Sequence, residues 1–218
     1  MPGKKFIGEL RKDYRKKKPA IIQRLSEFKA VYEKGDQAIF EELCYCILTA
    51  GSSAKMGMRT VEALKDILHS GTETELQQRA RAHRVRFWRI RPSYIVRTRE
   101  YLKDACDMKL RRLLESFDCR DARRDFFAKN KSVKGLGYKE SSHFLRNIGF
   151  PGYAILDKHI LNSLREMGVI SKRMRPPTTQ ARYLEIEKRL EQFAREIGID
   201  MDHLDLLLWS RKTGEILK

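Results

Sequence analysis

A primary amine and a carboxylate, Lys139 and Asp157, stand 18 residues apart in this chain, and together they could break a bond at a sugar carbon. A neutral lysine amine attacks electrophilic carbon. A carboxylate held nearby stabilises the oxocarbenium-like transition state that forms when the bond to a base breaks. The amine is preceded by Val133-Lys134-Gly135-Leu136-Gly137-Tyr138, which reads as a tight hairpin between two helices. Gly135 and Gly137 have no Cβ, so the chain can turn sharply and approach another backbone closely. Amides at the leading end of the following helix attract phosphate, so the hairpin suits a DNA strand gripped without regard to its sequence. Lys139 lies near the start of that helix, where the macrodipole disfavours a cation by about 0.3–1 kcal/mol and so favours the amine that attack requires. Each feature also has a plain structural reading. Many helix junctions contain G-x-G, a surface lysine tolerates such a position, and aspartate is a favoured N-cap.

The elements that must position these groups read as helices. Ile21, Ile22, Leu25, Phe28, Val31 and Tyr32 recur at three- and four-residue steps and predict an amphipathic helix from Ala20 to Gly35. Residues 38–50 are apolar on most faces, as in a central buried helix, and Ala54–Leu68 resumes helical spacing after Gly51-Ser52-Ser53. Pro92 can open a helix running through Ile95 and Leu102. Further helices are expected over Asp121–Asn130, Glu140–Ile148, Asp157–Met167, Thr179–Ile197 and His203–Arg211. Little of the chain alternates with strand period, so the expected fold is all-α, with two helical lobes flanking a DNA-binding cleft and a helix–hairpin–helix motif at about 121–148. Residues 1–19 form a basic N-terminal segment closed by Pro19, either a solvated tail or frayed helix or a DNA arm. Residues 20–218 form a single domain.

Composition narrows the partners. Against 29 Asp and Glu stand 46 Lys and Arg, a net charge of +17, which favours a polyanion. Arg79–Arg99 holds eight arginines and no acid, with Phe87, Trp88 and Tyr94 interleaved, fit for phosphate contacts beside an aromatic platform or for a basic surface over buried rings. No apolar run nears the ~20 residues of a spanning helix, and Met1-Pro2-Gly3-Lys4-Lys5 leads into no apolar signal core. A cytoplasmic, nucleoid-associated protein without membrane contact is the expectation. Cys44, Cys46, Cys106 and Cys119 match no metal-ligand spacing, the five histidines are scattered, and no metal site is expected.

The segment VKGLGYKESSHFLRNIGFPGYAILDKHIL resembles the helix–hairpin–helix core of DNA glycosylases, and more narrowly the type 2 8-oxoguanine DNA glycosylase/lyase family. The family pattern G-[LI]-G-aromatic-K-E-[AS]-S-H-F-L-R-N is met from Gly135 to Asn147, and A-I-L-D-K-H from Ala154 to His159. Weaker likeness extends to FEELCYCILTA and to the ending LDLLLWSRKTGEILK. The resemblance implies a bifunctional enzyme of base excision repair that removes 8-oxoguanine from double-stranded DNA and nicks the strand by β-elimination. It matches Lys139 to the Schiff-base nucleophile, Asp157 to the catalytic aspartate and Lys218 to the lysine that tells 8-oxoguanine from guanine. It places Trp209 near the base pocket and makes Phe87 the candidate pocket aromatic. An acceptor offered by Lys218 would meet the N7–H of the lesion but the bare N7 of guanine, a difference of roughly 1–3 kcal/mol. Lys134, Gly135, Gly137 and Lys158 are the expected DNA contacts. No cofactor is required, a monovalent cation on the hairpin carbonyls is an option, no iron–sulfur cluster is implied, and the protein is expected to act as a monomer. One departure stands out: family members often read LTAN-aromatic-[ST]-A-E-G-G where this chain has LTAGSSAKMG, so the pocket wall near Thr49–Ser53 differs. Two rival readings stay open, a glycosylase for another damaged base and a non-enzymatic DNA-binding helix–hairpin–helix module.

Overall fold

The computed structural model describes residues 4–217, and every long regular element among them is an α-helix. In chain order these are α1 (Lys4–Glu33), α2 (Asp36–Thr49), α3 (Ala54–Leu64), α4 (Glu73–Ala82), α5 (Ile90–Cys106), α6 (Leu110–Glu115), α7 (Arg120–Lys129), α8 (Tyr138–Asn147), α9 (Lys158–Glu166), α10 (Gln180–Ile197) and α11 (Met201–Thr213). The all-α expectation holds. The chain divides into two compact units, one formed by residues up to Glu27 with those from Phe150 onward, the other by Phe28–Gly149.

The unit of Phe28–Gly149 is built around α2. Leu43, Cys44, Tyr45, Cys46, Ile47 and Leu48 are all buried, as the unbroken apolar character of this stretch dictates, and the two cysteines serve as small core hydrophobes. The helix–hairpin–helix is α7 and α8 with residues 130–137 between them. Phe127 of α7 meets Phe144 of α8 edge-on with ring centroids 4.9 Å apart. Beside this pair Arg124 is fully buried. It donates to Asp121 Oδ1 at 2.8 Å and Ser142 Oγ at 3.3 Å and lies over the Tyr138 ring. A buried guanidinium is tolerated only when its charge is matched, so Arg124 fastens the two arms of the motif together.

In the other unit α1 runs unbroken from Lys4 through Pro19, which corrects the expected helix start at Ala20 and makes residues 4–18 helical rather than a solvated tail. An internal proline removes one helical hydrogen bond and crowds the preceding turn, at a cost of about 3 kcal/mol. Here Leu10 and Ile21, on either side of Pro19, are both fully buried, and that burial outweighs the defect. Helices α4 and α6 escape the periodicity argument because they are short, ten and six residues. Helix α4 nevertheless carries a capping box, with Thr72 accepting from the Glu75 amide and Glu75 from the Thr72 amide. Helix α5 begins at Ile90, two residues before Pro92, a shift that leaves the proline in the first turn where no N–H partner is lost.

Candidate active site

Lys139 stands in the first turn of α8, immediately after the hairpin. The hairpin rests on α5: the Lys134 amide donates to Thr98 Oγ1 at 2.9 Å, and Asn130 Nδ2 donates to the Tyr101 hydroxyl at 2.8 Å. Val133 and Leu136 point inward and are buried, while Gly135 and Gly137 are exposed and Lys134 is half-buried. The two glycines answer different demands. Gly135 has φ +79°, and a Cβ there would lie 2.7 Å from Tyr94 Cδ2 and 3.4 Å from Ile47 Cγ2. Gly137 is extended, with φ −101°, and its Cβ would find only Glu140 Oε2 at 3.5 Å. Glu140 completes the corner, with Oε2 accepting from the Gly137 amide at 3.4 Å and Oε1 3.3 Å from Lys139 Nζ. The Lys139 side chain is 30% exposed, within reach of a ligand on the hairpin. Its ionic partner is thus a carboxylate.

Phe87 belongs to the same unit. It has φ +61°, is 44% exposed and is clasped between the guanidiniums of Arg86 and Arg91, 4.8 and 5.1 Å from its ring centre. Arg86 donates to Gly51 O at 3.0 Å, and Arg91 to Ile47 O at 2.6 Å and to Ala50 O. The two arginines beside Phe87 are therefore tied to the backbone at Ile47, Ala50 and Gly51, in or next to the 49–53 segment that departs from the family pattern. Burial pulls the Arg91 pKa below its ordinary value, and the charge of Glu140 opposes that shift. Trp88 is flanked in the same manner by Arg81 and Arg89. In the hairpin itself, burial and a hydrogen bond to Asp125 raise the Tyr138 phenol. Burial also pushes the Asp125 carboxyl up, but hydrogen bonds from Lys129 and Tyr138 outweigh it and hold that carboxyl below its usual range.

Asp157, Lys158 and Trp209 lie in the unit that contains α9–α11. Asp157 is the N-cap of α9, with Oδ1 accepting from the Ile160 amide at 2.8 Å. The segment before it, Gly152–Leu156, is mostly buried yet belongs to no regular element, so its backbone amides need partners from elsewhere. Three carboxylates and a phenol supply them. Gly152 N donates to both oxygens of Asp202 at 3.1 and 3.0 Å, Ala154 N to Glu187 Oε1 at 3.0 Å, and Ile155 N to Asp205 Oδ1 at 3.2 Å. Leu156 N donates to the Tyr183 hydroxyl at 3.3 Å, which itself donates to Ala154 O at 2.6 Å. Asp202, Asp205 and Glu187 are all buried, and such charge-assisted bonds are stronger than neutral ones. Sequence reasoning missed all three acids. The available signal was an acid such as Asp205 inside the apolar run of α11, where a charge must have a partner. Lys158 is exposed and Trp209 half-buried; Lys218 lies outside the described residues. Among the described residues no cluster of three or more His, Cys, Asp or Glu could hold a metal ion, and no helix is long and apolar enough to cross a membrane.

An all-helical chain whose glycine hairpin joins two packed helices and ends on a lysine is a helix–hairpin–helix protein. Comparison with known proteins narrows the class. A family model described as 8-oxoguanine DNA glycosylase matches residues 21–199. The 8-oxoguanine DNA glycosylase/AP lyase of Korarchaeum cryptofilum is 40% identical over 198 residues, covering 91% of this chain and 90% of the relative. The crystal structure of the Methanocaldococcus jannaschii 8-oxoguanine DNA glycosylase superposes with a TM-score of 0.86 at 35% identity, over 99% of this chain and 98% of that one. The same archaeal enzyme in complex with a 15mer DNA containing 8-oxoguanine gives 0.85 at 34% identity, over 95% of this chain and 98% of that one. The chain belongs to the 8-oxoguanine DNA glycosylase family.

Proposed function

We propose that this protein excises 8-oxoguanine from duplex DNA and then cleaves the strand at the resulting abasic site. The observation that carries the reading is the delivery of Lys139 by an exposed glycine hairpin, in a chain whose relatives over nine-tenths of its length are 8-oxoguanine DNA glycosylase/AP lyases. The hairpin amides and Lys134 take the backbone of the damaged strand, with Lys158 as a further phosphate contact. The damaged nucleotide leaves the stack at a cost of a few kcal/mol, and its base is read by Lys218, Trp209 and Phe87. After giving up a proton, the Lys139 amine forms a bond to C1′ as the bond from C1′ to the base breaks; the base departs with that electron pair and is protonated. Asp157 stabilises the positive charge on the sugar. Loss of a proton from nitrogen and opening of the ring yield a Schiff base, which acidifies C2′–H. Removal of that proton expels the 3′ phosphate and nicks the strand, so one nucleophile serves both steps.

A reaction confined to these side chains requires no cofactor. A DNA substrate is in keeping with a cytoplasmic, nucleoid-associated protein. The test is borohydride trapping on a duplex carrying one 8-oxoguanine. Wild type forms a covalent adduct and Lys139→Gln forms none; an adduct that persists in the variant assigns the nucleophile elsewhere. A panel of duplexes with other single lesions separates this reading from a glycosylase of different specificity.

A further inference from the structure

The basic α1 is left unused by the proposed chemistry, yet its side chains are not simply solvated. In ascending order along both segments, Arg11 Nε donates to Ile197 O at 3.1 Å, the Tyr14 hydroxyl meets His203 Nδ1 at 3.0 Å, and Lys17 Nζ donates to Ser210 Oγ at 3.0 Å. Asp13 pairs with Arg211 at 3.2 Å. Arg24 is the last rung. Its NH1 is held by Glu27 Oε2 at 2.6 Å, and its NH2 donates to Ile216 O at 3.2 Å. Ile216 stands beyond the end of α11, which stops at Gly214 in the left-handed region with φ +84°. A segment past a helix end has no backbone ladder to fix its course. Arg24 supplies one fixed point, two residues short of Lys218.

We propose that Arg24 is a positioning residue for lesion recognition: through the Ile216 carbonyl it anchors the segment from which Lys218 reads the base. This rests on the function proposed above. Helix α1 is accordingly a strap for the far end of the chain, and its net charge is secondary. The claim separates two activities. Excision of 8-oxoguanine needs base recognition, whereas cleavage of a preformed abasic site presents no base to read.

The test is single-turnover kinetics of the full-length protein on two duplexes, one with 8-oxoguanine and one with an abasic site. Arg24→Ala lowers 8-oxoguanine excision by roughly three- to tenfold, the effect of loosening one hydrogen-bonded contact, and changes abasic-site nicking less than twofold. Arg24→Lys, which still reaches a carbonyl, recovers part of the loss. Lys12→Ala, which removes one exposed positive charge from the same helix, alters neither rate. In a chain lacking Lys218, Arg24→Ala has no additional effect on excision. Arg24→Gln serves the same comparison if the alanine variant does not fold. Equal losses on both duplexes, unimpaired excision by Arg24→Ala, or a further loss without Lys218 would each overturn the proposal. A wild type that nicks abasic sites but leaves 8-oxoguanine in place would instead overturn the assigned lesion.

Discussion

Gly135 and Gly137 look equivalent in the sequence, and the structure predicts that alanine will separate them. At Gly135 an added Cβ must accept φ +79° and lie 2.7 Å from Tyr94 Cδ2. The left-handed backbone costs an L-residue about 1–2 kcal/mol, and forcing a methyl against packed side chains about 1–3 kcal/mol more. Ile47 approaches the same methyl at 3.4 Å, so two side chains crowd it. The sum, about 2–5 kcal/mol, corresponds to a fall in melting temperature of roughly 4–20 °C for a protein of this size. At Gly137 the backbone is extended and the nearest neighbour is the Glu140 carboxylate at 3.5 Å. Gly137→Ala loses only the advantage of glycine at an N-cap, below about 1 kcal/mol. Thermal unfolding followed by circular dichroism compares the two variants with wild type, and DNA binding by fluorescence anisotropy follows the hairpin itself. A Gly137→Ala melting temperature as low as that of Gly135→Ala would refute the assignment of close packing and left-handed geometry to the first glycine alone.

Two more outcomes follow from the unit that holds Asp157. Glu187→Ala removes the acceptor of the buried Ala154 amide and should cost about 1–3 kcal/mol; Glu187→Gln keeps an acceptor and should cost less, as urea denaturation of both variants would reveal. Burial holds the His203 pKa below its ordinary value, with Lys18 reinforcing and Asp200 opposing the shift. A depressed folded-state pKa means stability that is complete above the unfolded value near 6.5 and lost as pH falls toward the folded one. Melting temperature should therefore drop more between pH 7 and pH 5 in wild type than in His203→Asn, and identical drops would show that His203 carries no part of the pH response.

Features whose cause is local could be read from the residues: the hairpin and its flanking helices, the buried character of α2, and Asp157 as a cap. Each depends on neighbours a few positions away, which pattern and propensity describe. What escaped depends on partners far along the chain. The helix across Pro19 is possible because Leu10 and Ile21 are buried on both sides of it, and local preference at a proline argues the opposite. The acids that bind the 152–156 amides come from α10 and α11, 33 to 50 residues later. The packing of α1 escaped for the same reason: its cations read as a basic segment, whereas Arg11 and Lys17 each find an oxygen near the far end of the sequence.

Asp157 divides its two oxygens. Oδ1 is committed to starting α9 through the Ile160 amide, which under the proposed mechanism leaves Oδ2 to face the sugar cation. The acid and the helix thus share one origin: sliding the register of α9 would drag the carboxylate along, and relocating the carboxylate would cost the helix its N-cap, about 0.5–2 kcal/mol. Drift in the surrounding sequence is tolerable only where it leaves that common anchor point untouched.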